Sequence, residues 1–230
     1  MSIKYADFLK RLKEERKRSN LSQAELSNKL KIEQSHYSKV ERGVARLTFY
    51  EVQRLYEVDM DVEYIFTGNR CDKKNLELFD DMRYSELLLA INILYSWIEY
   101  KCKETKLNFY ADIFHKTEYM KFIRFSYSGD KTAFFFLRKC LNKTQVQMAE
   151  LLGVDVKKLR ALENGGILPD SEIIWKLYAD YYILPAVIVQ SEKGLALEIC
   201  SLLHLLGQEE IKGFLSEMYD IQDLLNQFWG

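Results

Sequence analysis

Proline and glycine are scarce in this chain of 230 residues, which contains two prolines and ten glycines. Two prolines are too few for a proline-rich linker, and the low glycine content excludes collagenous and low-complexity chains. Because proline disrupts helix interiors, its scarcity fits a mostly helical protein. At about 100–200 residues per domain, the length allows one large domain or two small ones.

Paired cysteines and long apolar runs are absent from the sequence as well. The four cysteines lie far apart without a C-x-x-C motif, which indicates the reduced thiols of a cytosolic protein. The most apolar stretch, residues 87–98, is interrupted by Asn92 and Ser96 and falls short of the ~20 residues that span a bilayer. No apolar signal segment opens the sequence. We therefore expect a soluble, cytoplasmic protein with no membrane partner.

Sequence motifs for catalysis or metal binding are missing too. The histidines His36, His115 and His204 are isolated, and no cysteine stands at ligand spacing from them. The pair Gly165-Gly166 does not form a phosphate-binding glycine loop, and the sequence has no G-x-S-x-G motif. We therefore expect no enzyme activity, no metal and no cofactor.

Charge is nearly balanced, and the formal net charge of −1 gives no general argument for nucleic-acid binding. Its distribution is uneven. Residues 1–55 contain 13 Lys and Arg against seven Asp and Glu, whereas residues 190–230 contain two against seven. A basic head and an acidic tail can present an anion-binding surface at one end, although charges also segregate onto solvated helix faces.

The sequence repeats itself at a shift of 122 residues. Residues 22–27 (SQAELS) align with residues 144–149 (TQVQMA), and residues 40–43 (VERG) align with residues 162–165 (LENG). The agreement falls on apolar, capping and glycine positions together, which indicates two copies of one small helical unit. The divisions that we predict are residues 1–68, 69–131, 132–190 and 191–230, of which the first and third are the copies.

Each copy has a capping box at the start of its second helix. Ser22 and Glu25 form this box in the first copy, and Thr144 and Gln147 form it in the second. Ser27, five residues past the cap, is small enough for two helices to cross closely. A tight turn between two steeply crossing helices is helix-turn-helix geometry.

The first copy resembles the Cro/phage-repressor (XRE) family of helix-turn-helix proteins. The resemblance rests on residues 21–26 (LSQAEL), 40–43 (VERG) and 61–68 (DVEYIFTG). It implies an all-α fold of two lambda-repressor-like helix-turn-helix bundles, joined by a helical segment and followed by C-terminal helices. Lys31 departs from the family pattern, which has a turn glycine there, at a cost of ~1 kcal/mol.

The resemblance implies double-stranded DNA as the partner of the first copy. In the family's docking mode the recognition helix, here residues 34–42, enters the major groove with its N-terminal side chains on base edges. Glutamine can pair with adenine there, and lysine can reach guanine. The implied base-reading residues are Gln34, Ser35, Ser38 and Lys39. The implied phosphate contacts are Gln23, Arg42 and Arg46.

The resemblance also implies an ion pair between the first helix and the recognition helix in each copy. The residues are Arg16 with Glu41, and Arg138 with Glu163. We interpret both pairs as contacts that hold the fold.

The second copy is less suited to reading bases. Its base-facing positions are Val156, Lys157 and Ala161, of which two cannot hydrogen-bond a base. Lys157, Lys158 and Arg160 can still hold phosphates. Two interpretations remain: a degenerate copy that serves as a scaffold or binds a partner, and a second DNA contact.

The segments outside the copies predict further helices. Residues 76–103 are apolar on nearly all sides, which indicates a helix buried on several faces. Interleaved aromatic and basic residues at 109–127 favour a core or an interface over single-stranded nucleic-acid binding. Residues 195–206 and 208–228 predict two amphipathic helices split at Gly207, which form either a dimerisation arm or a lid on the second copy's core.

These features favour a sequence-specific, double-stranded-DNA-binding transcription regulator, with repression and homodimerisation implied by the family. A variant is a single chain that uses both copies as a built-in pseudo-dimer on one asymmetric site. A different class remains open: an antitoxin-like or phage-derived adaptor whose residues 70–230 bind a protein or a small ligand, with DNA binding secondary.

Overall fold

The computed structural model describes residues 5–70, 78–79, 82–102, 132–181, 183, 185–189, 192–203 and 206–229. Within these ranges the chain is helical and contains no strand, which confirms the expected all-α class. None of the helices in these ranges is long and apolar enough to cross a membrane. The aromatic and basic stretch at 109–127 lies outside the described residues, as do His115 and His204.

Five short helices build the first bundle, in agreement with the start and stop signals of the sequence. They are α1 (Tyr5–Arg18), α2 (Gln23–Leu30), α3 (Gln34–Glu41), α4 (Phe49–Glu57) and α5 (Val62–Thr67). The predicted capping box of Ser22 and Glu25 begins α2, and Thr48 with Glu51 begins α4 in the same way. Because α1 packs on α3 and α5 while α2 packs on α3 and α4, the five helices form one bundle.

The remaining helices continue the chain from residue 84 to residue 229. They are α6 (Tyr84–Cys102), α7 (Ala133–Cys140), α8 (Gln145–Leu152), α9 (Val156–Glu163), α10 (Ser171–Tyr181), α11 (Pro185–Val189), α12 (Glu192–Leu203) and α13 (Gln208–Trp229). We call α7–α10 the second bundle, since α9 packs on α7 and α8, and α8 packs on α10. The predicted capping box of Thr144 and Gln147 begins α8.

Side-chain contacts of the first bundle recur in the second at positions 122 residues later. A guanidinium of α1 or α7 bonds the carbonyl that precedes the capping box, and a cation of α4 or α10 bonds the last carbonyl of α2 or α8. The four contacts are Arg16 to Leu21, Arg138 to Lys143, Arg54 to Leu30 and Lys176 to Leu152. The second and fourth helices of each bundle are therefore fixed by equivalent bonds.

The turn between the second and third helix of each bundle needs a left-handed residue. Lys31 adopts φ +58° in the first bundle, and Gly153 adopts φ +63° in the second. An L-residue with a side chain is strained in this region by ~1 kcal/mol, whereas glycine is not. Lys31 thus adopts the left-handed turn conformation that Gly153 adopts in the second bundle.

The two bundles share one continuous apolar core. Helix α10 packs on α1 and α5, α11 packs on α4 and α5, and α12 packs on α5 and α6. The docking is not two-fold symmetric. α1 contacts α10, but the converse pairing of α7 with α4 is not among the main contacts of the described helices.

Helix α13 closes the core against α6. Phe214 stacks on Phe79 and meets the ring of Trp97 edge-on. Gly213 allows this approach, because a Cβ at that position would lie 3.0 Å from the Trp97 ring. Of the apolar stripe predicted for this helix, Phe214 and Met218 are buried, whereas Leu224 is 53% exposed. The first half of the stripe therefore serves the core.

Candidate nucleic-acid interface

Helix α3 has one buried face and one polar, exposed face. Tyr37 and Val40 are fully buried in the core. The side chains of Gln34, Ser35 and Lys39 are exposed on the other face, and Ser38, next to them, is half-buried. The four residues with an implied base-reading role thus lie along one short helix, which the core holds from behind.

A buried ion pair anchors the C-terminal end of α3 to α1. Arg16 Nε donates to Glu41 Oε1 at 2.6 Å, and Gln23 Nε2 donates to Glu41 Oε2 at 2.7 Å. Burial alone would raise the pKa of Glu41, but the hydrogen bonds from Arg16 and Gln23 hold it below its usual value. A carboxylate that stays charged keeps α3 fixed relative to α1 and α2.

The three residues predicted to contact phosphates differ in how far their side chains are already bonded within the protein. Gln23 is half-buried and uses its amide N–H on Glu41. Arg42 is exposed and donates only weakly, at 3.3 Å, to the carbonyl of Ser38. Arg46 Nε donates to Glu172 Oε2 at 2.8 Å, and its guanidinium lies over the ring of Tyr5. Arg46 thus joins the loop after α3 to α10.

Ser171, at the start of α10, fixes the same loop. Its side chain is fully buried. Its Oγ accepts from the backbone N–H of Leu47 at 3.1 Å and lies 2.8 Å from the hydroxyl of Tyr5. Its own N–H donates to the carbonyl of Leu47 at 2.8 Å. The backbone that follows α3 is therefore held by the second bundle.

Sequence reasoning missed Ser171 and Glu172. Neither belongs to a motif, and each contacts a partner more than 120 residues away in the sequence. At the shift of 122 residues Ser171 corresponds to Phe49, so the repeat itself gives no sign of this contact.

The second bundle has a matching ion pair but a different exposed surface on α9. Arg138 donates through Nε and Nη2 to the carboxylate of Glu163, and Gln145 Nε2 donates to the same group at 2.9 Å. Lys157 and Arg160 are exposed on α9. Arg160 Nε donates to the side-chain carbonyl of Gln145 at 3.0 Å. Lys158 Nζ lies 3.8 Å from Asp170.

The comparisons with known proteins concern the first bundle. Residues 12–58 match the model of a helix-turn-helix family, and this range contains α2, the turn, α3 and α4. Comparisons with curated proteins and with solved structures find no match to the chain. The family match supports a DNA-binding role in transcription regulation. The first bundle thus contains a helix-turn-helix domain similar to that of the Cro/phage-repressor family.

Proposed function

We propose that this chain is a sequence-specific repressor of transcription, which acts in the cytoplasm as a homodimer and reads double-stranded DNA with α3. The observation that carries the proposal is the polar, exposed face of α3 on a helix locked by the buried pair of Arg16 and Glu41. A rigid helix with hydrogen-bonding side chains on its outer face suits base recognition in the major groove.

The proposed roles follow from exposure and existing bonds. Gln34, Ser35, Ser38 and Lys39 read bases, and Arg42 binds a phosphate. Gln23 combines a phosphate contact at the N-terminus of α2 with its bond to Glu41. Arg46 already uses its guanidinium on Glu172 and on the carbonyl of Gly43, so we rank its phosphate contact below that of Arg42.

We also propose that residues 132–181 are a second, divergent helix-turn-helix copy that serves mainly as a scaffold. The equivalent capping boxes, carbonyl contacts and ion pairs at a shift of 122 residues support a common origin. Val156 and Ala161 replace Gln34 and Lys39 at the base-facing positions, which removes the hydrogen-bonding groups that base reading needs.

The experiment is selection of binding sites from a random duplex library with the full chain, followed by affinity measurements on variants. Lys39→Ala and Gln34→Ala should each weaken binding to the selected site by ~1–3 kcal/mol while leaving random duplex nearly unchanged. Lys157→Ala, an exposed lysine on the equivalent helix, is the matched control and should have little effect on an isolated half-site.

The outcomes separate the candidate functions. Equal losses on selected and random duplex would contradict base reading by α3. On an isolated half-site, where the dimer plays no part, a loss for Lys157→Ala as large as for Lys39→Ala would make α9 a second DNA contact. If no motif emerged at low salt, the proposal of a regulator would be abandoned and a protein partner sought.

A further inference from the structure

Exposed apolar side chains gather on the outer surface of the second bundle. Val146 on α8 is 55% exposed, and Ile167 and Leu168 in the loop after α9 are also exposed. Lys157 and Arg160 add two positive charges beside them. We call these five residues the α8–α9 patch. An exposed apolar patch with basic residues at its edge is typical of a protein-binding surface.

Hydrogen bonds of neighbouring residues bring the parts of the α8–α9 patch close together. Arg160 on α9 reaches the side chain of Gln145, the residue that precedes Val146 on α8. The backbone N–H of Ile167 donates to the carbonyl of Ala161, which follows Arg160 in α9. Lys157 lies one helical turn before Ala161. The starts of α8 and α9 and the loop after α9 therefore lie next to one another.

The corresponding surface of the first bundle has a different character. At a shift of 122 residues, Val146, Ile167 and Leu168 correspond to Ala24, Ala45 and Arg46. The first bundle has two small residues there and an arginine that is already bonded to Glu172 of α10, so it carries little apolar area at these positions. The three large apolar residues of the second bundle add area that is stabilised by burial.

A surface of opposite charge lies on α13. Tyr219 and Leu224 are 55% and 53% exposed, and Glu217, Asp220 and Asp223 are exposed around them. Tyr219 is four residues before Asp223, Asp220 is four residues before Leu224, and Asp220 is three residues before Asp223, so these side chains form a band across the solvent-exposed side of the helix. We call them the α13 face. Phe214 and Met218 occupy the opposite, core-facing side.

We infer that the α8–α9 patch of one copy binds the α13 face of a second copy. Both surfaces are exposed within one chain, each combines apolar area with charge, and the charges are opposite in sign. Two such contacts, related by a two-fold axis, close a homodimer. The inference deepens the proposed function by naming how two DNA-binding bundles assemble, and it rests on that function only for the biological role of the dimer.

The test is a charge exchange on the full chain, measured by light scattering without DNA. The wild-type chain of 27.3 kDa should have about twice this mass. The pair Lys157→Glu and Arg160→Glu, and separately the pair Asp220→Lys and Asp223→Lys, should each weaken the dimer about tenfold or more by placing like charges together. An equimolar mixture of the two variants should regain the dimer, because both of its contacts then pair opposite charges.

Control variants change charge outside the two surfaces. Lys139→Glu on α7 and Glu209→Lys at the start of α13 are exposed and should leave the dimer mass unchanged. A monomeric wild-type chain would overturn the inference and direct the search to a different partner. A dimer that both charge-reversed variants retain, or that the mixture does not recover, would overturn it as well. Lys39→Ala should leave the mass unchanged, so failure of DNA reading and failure of this assembly give separate signals.

Discussion

The two bundles of this chain have the same internal bonds and different outer surfaces. The ion pairs Arg16–Glu41 and Arg138–Glu163 are buried alike, with 9% of each arginine and 3% of each glutamate side chain exposed. On the outer face, the exposed glutamine and lysine of α3 correspond to Val156 and Ala161 on α9. The comparison teaches that two bundles can share the same buried polar bonds while their exposed residues differ, because a buried charge that loses its partner is costly.

The largest expected change in the free energy of unfolding comes from breaking either ion pair, and it tests whether the two pairs are equivalent. Arg16→Ala and Arg138→Ala should each lower the free energy of unfolding by about 3–5 kcal/mol, because each leaves a buried carboxylate without its partner. Urea denaturation measures this change, and Lys10→Ala on the exposed side of α1 is the control. A much smaller cost for Arg138→Ala would show that the second bundle does not depend on its pair.

The next largest effect is a pH dependence of stability, which should differ between the two bundles. Burial raises the pKa of Glu63 on α5 to about 8, although the hydroxyl of Tyr56 donates to its carboxyl group. At a shift of 122 residues stands Pro185, which cannot titrate.

Glu63 remains protonated in the folded chain at pH values where it ionises in the unfolded chain, above its usual value of 4.5. Its contribution to stability is fully present below pH 4.5 and is lost as the pH rises towards 8, by on the order of a few kcal/mol. The measurement is Tm between pH 5 and pH 8. Glu63→Gln should show a shallower fall than the wild-type chain, and identical slopes would contradict the assignment.

A substitution at the junction between the bundles should have a moderate effect on the free energy of unfolding. Ser171→Ala removes the acceptor for the buried N–H of Leu47 and should cost about 1–3 kcal/mol of unfolding free energy. Ser35→Ala, on the exposed face of α3, is the control and should change stability by less than about 0.5 kcal/mol. Equal effects of the two substitutions would show that the junction does not stabilise the fold.

The smallest expected change in stability concerns the left-handed residue in the turn between the second and third helix of each bundle. Lys31→Gly should stabilise the chain by about 0.5–1 kcal/mol, since it removes left-handed strain at φ +58°. Gly153→Ala should destabilise it, because φ is +63° there and a Cβ would lie 2.4 Å from Lys176 Nζ. Urea midpoints measure both changes. Destabilisation by Lys31→Gly would mean that its side chain contributes more than the strain costs.

Local signals made part of this fold predictable from sequence. Capping boxes and helical spacing predicted the starts of α2 and α8 and the break at Gly207, because each signal acts within a few residues. The docking of α10 on α1 was not predictable, since it depends on contacts between residues far apart in the chain.

The candidate site also has features that the sequence could predict and features that it could not. The outer positions of α3 were predicted through the resemblance to the Cro/phage-repressor family, and Gln34, Ser35 and Lys39 are exposed in the structure. The engagement of Arg46 with Glu172 could not, since a surface arginine in a loop has no local signal for an acidic partner 126 residues away. Which residues contact DNA stays a prediction.

The hydrogen bonds between Ser171 and Leu47 show that the chain folds as a larger unit than the segment that matches the family model. The segment matched by the family model ends at residue 58, yet α5 and the loop after α3 are covered by α10, α11 and α12. A fragment cut after Gly68 would lose the helices that pack on α5 and leave the N–H of Leu47 without its acceptor. A fragment that keeps the contacts around α3 and α5 therefore includes α10 to α12, and it also needs α13 if the core is to stay closed against α6.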